Sequence, residues 1–160
     1  MKKCVYAGTF DPPTNGHKYV IDTCLKIFGE VVVAVMENPS KSALLSECDR
    51  EKLLKLLYKD EDRVKVKIFS GAAVDLLEEE NTPFYVRGIR NTVDLEYENA
   101  NFFASKKLKE DMVTIYIPAE QDSLQISSSM VKSFIKFGKD YSEYVPEEIQ
   151  NSLKEMLERG

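Results

Sequence analysis

Val31-Val32-Val33-Ala34-Val35-Met36 is apolar at every position. A strand with one wet face alternates apolar and polar residues. An uninterrupted run predicts a strand covered on both faces, as in a parallel sheet between two layers of helices. Upstream, Cys4–Ala7 reads as a first strand, and His17–Phe28 sets Val20, Ile21, Cys24, Leu25 and Phe28 at helical spacing. Downstream, Ser46 and Asp49 read as a capping box ahead of Leu53, Leu54, Leu56 and Leu57. In Val64–Phe69, Val64, Val66 and Ile68 oppose Lys65 and Lys67, which predicts an edge or half-exposed strand. Phe84–Val86 and Val113–Ile117 supply two more strands. Further helices are expected over Ala72–Glu80, Asp94–Leu108, Ser127–Phe137 and Pro146–Leu157. Alternating strands and helices imply an α/β fold: a doubly wound five-stranded parallel sheet with right-handed crossovers and helices on both faces.

The 160 residues fit one domain, 1–160, with no internal repeat, linker or low-complexity tract. Twenty-two Lys and Arg against 27 Asp and Glu leave a net charge of −5, which argues against sequence-independent binding of nucleic acid. Phosphate, if bound, must be met by a few cations focused in a cleft. Cys4, Cys24 and Cys48 form no C-x-x-C pair, so reduced thiols in a cytoplasmic protein are expected. The apolar run after Lys2 and Lys3 ends at Gly8, too short for a signal peptide, and no run approaches membrane-spanning length.

Ligands of such sheets bind beyond the carboxyl ends of the strands. After the first strand, Gly8 and Gly16 allow close backbone approach, Pro12 and Pro13 stiffen the loop, and His17 stands at a helix N-terminus that favours anions. A lone histidine is more often a satisfied structural residue, but this loop favours phosphate. After the second strand lies Lys41, a point-charge clamp or a solvated lysine. Arg87 and Arg90, expected beyond the fourth strand, offer forks for phosphate oxygens; pairing with Glu96 or Glu98 is equally open. Ser127, Ser128 and Ser129 open a helix with more hydroxyls than one cap requires. No Walker A or G-x-G-x-x-G motif is present.

Gly8-Thr9-Phe10-Asp11-Pro12, Thr14-Asn15-Gly16-His17, Arg87-Gly88-Ile89-Arg90, Asp94-Leu95-Glu96-Tyr97-Glu98 and Ile126-Ser127-Ser128-Ser129-Met130-Val131-Lys132 together resemble the bacterial phosphopantetheine adenylyltransferases, over essentially the whole chain. The T-x-G-H stretch is a version of the nucleotidyltransferase H-x-G-H motif. The resemblance implies a Rossmann-like fold, transfer of AMP from ATP to 4′-phosphopantetheine with magnesium, the penultimate step of coenzyme A synthesis, and a homohexamer. It implies that Thr9 touches both substrates, that Phe10 lies beside ATP, and that His17 holds phosphate and stabilises the transition state. It gives Lys41, Arg87 and Ala73 to phosphopantetheine. Gly88, Ile89, Arg90 and Glu98 line the ATP site, and Ser123, Leu124, Gln125, Ile126, Ser127, Ser128 and Ser129 close over the nucleotide. No protein ligand to the metal is implied. Ala7 stands where the family usually has proline, Ala72 and Ala73 where larger apolar residues are common, and Ser123 where an aromatic is frequent. These departures bear on pocket shape.

A phosphate nucleophile needs no general base, so the expected chemistry is in-line displacement of pyrophosphate. Lys41 and Arg90 screen charge; His17 and Thr9 donate to oxygens that gain charge. Two alternatives remain at this point: a related nucleotidyltransferase acting on nicotinate mononucleotide, and a non-catalytic nucleotide-sensing domain on the same fold.

Overall fold

The computed structural model describes residues 1–40, 42–120 and 125–160. The all-apolar run lies in β2 (Glu30–Met36) of a five-stranded parallel sheet completed by β1 (Lys3–Gly8), β3 (Val64–Phe69), β4 (Phe84–Ile89) and β5 (Val113–Pro118). The spatial order is β3-β2-β1-β4-β5, so β3 is an edge, as its lysines imply. Among the described residues six α-helices connect and cover it: α1 (Asn15–Ile27), α2 (Glu47–Leu57), α3 (Ala73–Glu79), α4 (Thr92–Lys106), α5 (Ser128–Lys136) and α6 (Glu147–Arg159).

The two-residue period of each strand divides the core. Cys4, Tyr6, Val31, Val33 and Val35 face Val20, Ile21 and Cys24 of α1 and Leu54 of α2. Val5, Ala7, Val32 and Ala34 face Val74, Leu76 and Leu77 of α3 on the other side. A third cluster joins Leu53 and Leu57 of α2 to Val131 of α5 and to Ile149 and Leu153 of α6. Helix α5 is thereby braced by α2 and α6 rather than by the sheet.

Two expectations are corrected. Strand β4 does not stop at Val86: Arg87, Gly88 and Ile89 pair with Tyr116, Ile117 and Pro118. The apolar run breaks at Arg87, but the backbone ladder with β5 continues. Gly88 turns toward α1, where a Cβ would stand 3.1 Å from Val20 Cγ2, while Arg87 turns to the opposite face. At α2, Ser46 Oγ accepts from the Asp49 N–H at 3.1 Å, but Asp49 makes no return bond. Its carboxylate lies instead 3.5 Å from Arg159 of α6.

The strand order reverses between β1 and β4, and there the pairing is short. Only Val5↔Tyr85 and Tyr6↔Val86 are in register, whereas β1 and β2 pair from Lys3↔Glu30 to Gly8↔Val35. A crevice opens at the carboxyl ends of β1 and β4, at the switch point where such sheets bind ligands.

Candidate active site

The segment leaving β1 is held by buried charge. Phe10 is fully buried and has φ 50°, a left-handed conformation that costs a non-glycine residue about 1–3 kcal/mol. Its ring packs edge-to-face on Tyr6 (centroids 5.4 Å apart) and on His17 (4.8 Å). The buried ring offers no free face for stacking. Arg50 of α2 donates to the Thr9 carbonyl at 2.8 Å. Asp11, also buried, accepts from the Leu44 and Leu45 N–H groups at 2.8 and 2.9 Å and pairs with Lys132 Nζ of α5 at 2.7 Å. The loop after β1, the segment before α2 and the body of α5 are therefore tied to one carboxylate.

Thr14 and His17 cap α1 reciprocally. The His17 N–H lies 3.4 Å from Thr14 Oγ1, and the Thr14 N–H donates to His17 Nδ1 at 3.0 Å. A ring nitrogen that accepts from an amide carries no proton, so the neutral imidazole holds its hydrogen on Nε2. Burial, reinforced by the Arg90 and Arg87 charges, lowers the His17 pKa to about 4. At neutral pH the ring is an uncharged N–H donor with its other nitrogen occupied.

Arg87 closes the switch-point crevice. It donates through Nη1 to the Ala7 carbonyl at 2.6 Å and through Nη2 to the buried Glu98 carboxylate at 2.7 Å. Burial disfavours its charge, but Tyr85 and Glu98 outweigh that, and its pKa is raised. Arg87 Nε is buried with no partner among the described residues, as is Thr114 Oγ1. Both residues line a cavity of about 250 Å³ with Ala73, Tyr97, Glu98 and Phe102, on the α3 and α4 side of the sheet. Arg90 is more open: 39% of its side chain is exposed, and it pairs with Asp94, Nε to carboxylate 3.1 Å.

The start of α5 meets the start of α1. Ser128 Oγ donates to the Pro12 carbonyl at 2.9 Å, and Ile126 O lies 4.0 Å from a Cβ placed at Gly16. Ser127 is the cap, accepting from the Met130 N–H at 3.1 Å. The exposed Ser129 hydroxyl has no partner among the described residues. The Arg90 and Arg87 charges act on His17, the serines meet the loop that leads into α1, and Gly88 and Ile89 end β4. Gln125 is exposed in a turn ahead of α5. Lys41, Ser123 and Leu124 lie outside the described residues.

Sequence reasoning missed Arg50, Asp11 and Lys132 as organisers. A signal existed for Arg50, which precedes Leu53, Leu54 and Leu57 by three, four and seven positions and so shares their buried face. Asp11 and Lys132 stand in the quoted motifs, but no spacing pairs them, because they sit far apart in the chain. The cap was also legible: Thr14 and His17 have capping-box spacing with imidazole in place of carboxylate.

Known proteins are similar to this chain in sequence and in fold. The cytidylyltransferase-like family profile matches residues 5–134. The chain is 39% identical over 156 residues to the phosphopantetheine adenylyltransferase of Thermotoga neapolitana, covering 98% of this chain and 97% of that protein. It is 38% identical over 153 residues to the protein of the same name from Clostridium beijerinckii, covering 96% of each. A crystal structure from Vibrio parahaemolyticus, provisionally assigned as a nicotinate-nucleotide adenylyltransferase, superposes with a TM-score of 0.72 at 26% identity over 96% of this chain and 99% of that one.

His17 is the sole histidine, so its ring nitrogens are read without overlap in a long-range proton–nitrogen spectrum. The expected result is the Nε2–H tautomer with a midpoint near pH 4. Because the folded pKa lies below the unfolded value, the unfolded chain takes up the proton first. The stability this residue contributes is complete above about pH 6.5 and is lost as pH falls toward 4. A midpoint near 6.5, or an Nδ1–H tautomer, contradicts the reciprocal cap.

Proposed function

We infer the activity from the family: this chain belongs to the phosphopantetheine adenylyltransferases, within the cytidylyltransferase-like proteins, and it transfers the AMP moiety of ATP to 4′-phosphopantetheine, giving dephospho-coenzyme A and pyrophosphate in coenzyme A biosynthesis. One observation carries the assignment to this site. The neutral His17 donor and the N-termini of α1 and α5 approach the switch-point crevice from one face, and the Arg87 cavity approaches it from the other.

The cavity suits the pantetheine arm. Apolar walls such as Phe102 and Ala73 fit its alkyl groups, and the orphaned Arg87 Nε and Thr114 Oγ1 suit its polar groups or phosphate. ATP would lie across the N-termini of α1 and α5, where free N–H groups and helix dipoles favour phosphate. Thr9, which follows β1, is proposed to touch both substrates. Lys41 enters on the resemblance alone, as a clamp on the phosphates. Arg90 would leave Asp94 for the nucleotide, an exchange that costs little because exposed ion pairs contribute about 0–1 kcal/mol. Arg87, more deeply set, would keep Glu98 while it binds.

An oxygen of the phosphopantetheine phosphate attacks the α-phosphorus of ATP, the bond to the bridging oxygen breaks, and pyrophosphate leaves with the electron pair. No proton has to be removed. His17 could take one on Nδ1 only by breaking the cap of α1, so its role is to donate from Nε2 to an oxygen that gains charge. Among the described residues no three His, Cys, Asp or Glu side chains are placed to hold a metal. Magnesium is proposed to arrive on ATP, with phosphates and water as ligands, and would neutralise phosphate charge there.

The exposed apolar residues Val93, Tyr97, Phe103, Leu108 and Val113 cover α4 and its surroundings. They support the proposal of a homohexamer, for which sedimentation is the check: a single monomeric species overturns it. A cytoplasmic location is proposed on the family resemblance alone. Among the described residues no helix is long and apolar enough to cross a membrane.

Purified protein with magnesium and ATP should release pyrophosphate with 4′-phosphopantetheine and not with nicotinate mononucleotide; the opposite preference overturns the assignment. His17→Ala should lower kcat by about 10²–10³-fold, the loss typical of one charge-stabilising donor, with far less change in ATP affinity. An equal loss in both would make His17 a binding residue only.

A further inference from the structure

The buried cation of α2 has no place in the machinery above. Arg50 is 3% exposed. Its partners are three carbonyls: Thr9 at 2.8 Å, Met36 at 3.4 Å and Ser46 of its own helix at 3.3 Å. No carboxylate among the described residues pairs with it. A buried charge costs several kcal/mol when only dipoles compensate it. A methionine could anchor α2 to the sheet without that cost, so anchoring alone does not account for an arginine here.

The carbonyl it grips belongs to the peptide between Thr9 and Phe10. That unit is planar and trans, so its N–H points opposite its C=O. With the Thr9 carbonyl drawn toward α2, the Phe10 N–H is directed away from α2. Phe10 is fully buried, and its N–H has no acceptor among the described residues. A buried amide without an acceptor is rare in folded proteins. The positive φ at Phe10 is the twist that keeps the amide in this orientation.

We propose that Arg50 is a positioning residue for adenylyl transfer: its guanidinium fixes the Thr9–Phe10 peptide so that the Phe10 N–H, beside the Thr9 hydroxyl, donates to a nucleotide phosphate. Arg50 touches no substrate. It acts through that peptide, and its charge lends the phosphate hollow positive potential from behind. This rests on the adenylyl-transfer reading.

The test uses the full chain with 15N-phenylalanine. Adding magnesium and ATP should move the wild-type Phe10 amide downfield, and Arg50→Met should abolish that shift. In steady state Arg50→Met should lower kcat by about 100-fold, the scale of loss for a mispositioned group, with KM for 4′-phosphopantetheine within about threefold of wild type. Leu53→Ala, which destabilises the same face of α2 without contacting Thr9, should retain the Phe10 shift and nearly all of kcat. If Arg50→Met does not fold, Arg50→Lys, which keeps the charge but not the planar fork, should still weaken the shift and lower kcat by about 10-fold. A wild-type amide that ignores ATP, a variant that retains the shift, or a kcat matching Leu53→Ala overturns the proposal. Absence of pyrophosphate release by the wild type would instead overturn adenylyl transfer, and the amide titration, which needs no turnover, would still judge Arg50.

Discussion

The chemistry of this site depends on one reciprocal pair of hydrogen bonds at the start of α1. The Thr14 N–H occupies His17 Nδ1, and the Thr14 hydroxyl faces the His17 N–H. A helix must satisfy its first N–H groups, and here the group that does so is the imidazole expected to take part in catalysis. The cap fixes the tautomer, orients the ring and opposes proton uptake on the capped nitrogen. Burial and two nearby arginines keep the ring uncharged. Neutrality suits a donor among anions, since an imidazolium would compete with Arg87 and Arg90 for the same phosphates and bear the desolvation of a third charge.

The second constraint is the brief pairing of β1 with β4. Because the register ends at Tyr6 and Val86, the strand ends part and Arg87 reaches across to the Ala7 carbonyl. Alternation along β4 then divides the labour. Arg87 and Tyr85 face the cavity beside α4, while Gly88 lets α1 come close from the opposite side. Two anionic substrates can thus approach from opposite faces and meet at the strand ends, each in its own electrostatic setting. Asp11 holds the loop, the segment before α2 and α5 in register around that meeting point.

Much of this was legible in the sequence because it is periodic or local. The apolar run in β2 implied a sheet buried on both faces, the lysines of β3 placed it at an edge, and the loops singled out after the strands include the one that follows β1 at the switch point. The end of β4 was not legible, because Arg87 and Gly88 interrupt the apolar pattern while the backbone continues to pair. Asp11 and Lys132 were not legible either, because an ion pair between residues so distant in the chain leaves no spacing to read. Arg87 was the open case: the sequence offered phosphate or a glutamate as its partner, and the structure pairs it with Glu98 while no described residue claims Nε.

A capped, neutral histidine is poorly placed to act as base or nucleophile, which fits the proposed displacement of pyrophosphate by the phosphate of the other substrate in a single step. The stereochemical course at the α-phosphorus tests this most directly, using ATP made chiral there by isotopic oxygen and analysing the dephospho-coenzyme A formed. Single displacement predicts inversion of configuration. Retention would mean two displacements through an adenylylated protein group, and would contradict the role assigned to His17.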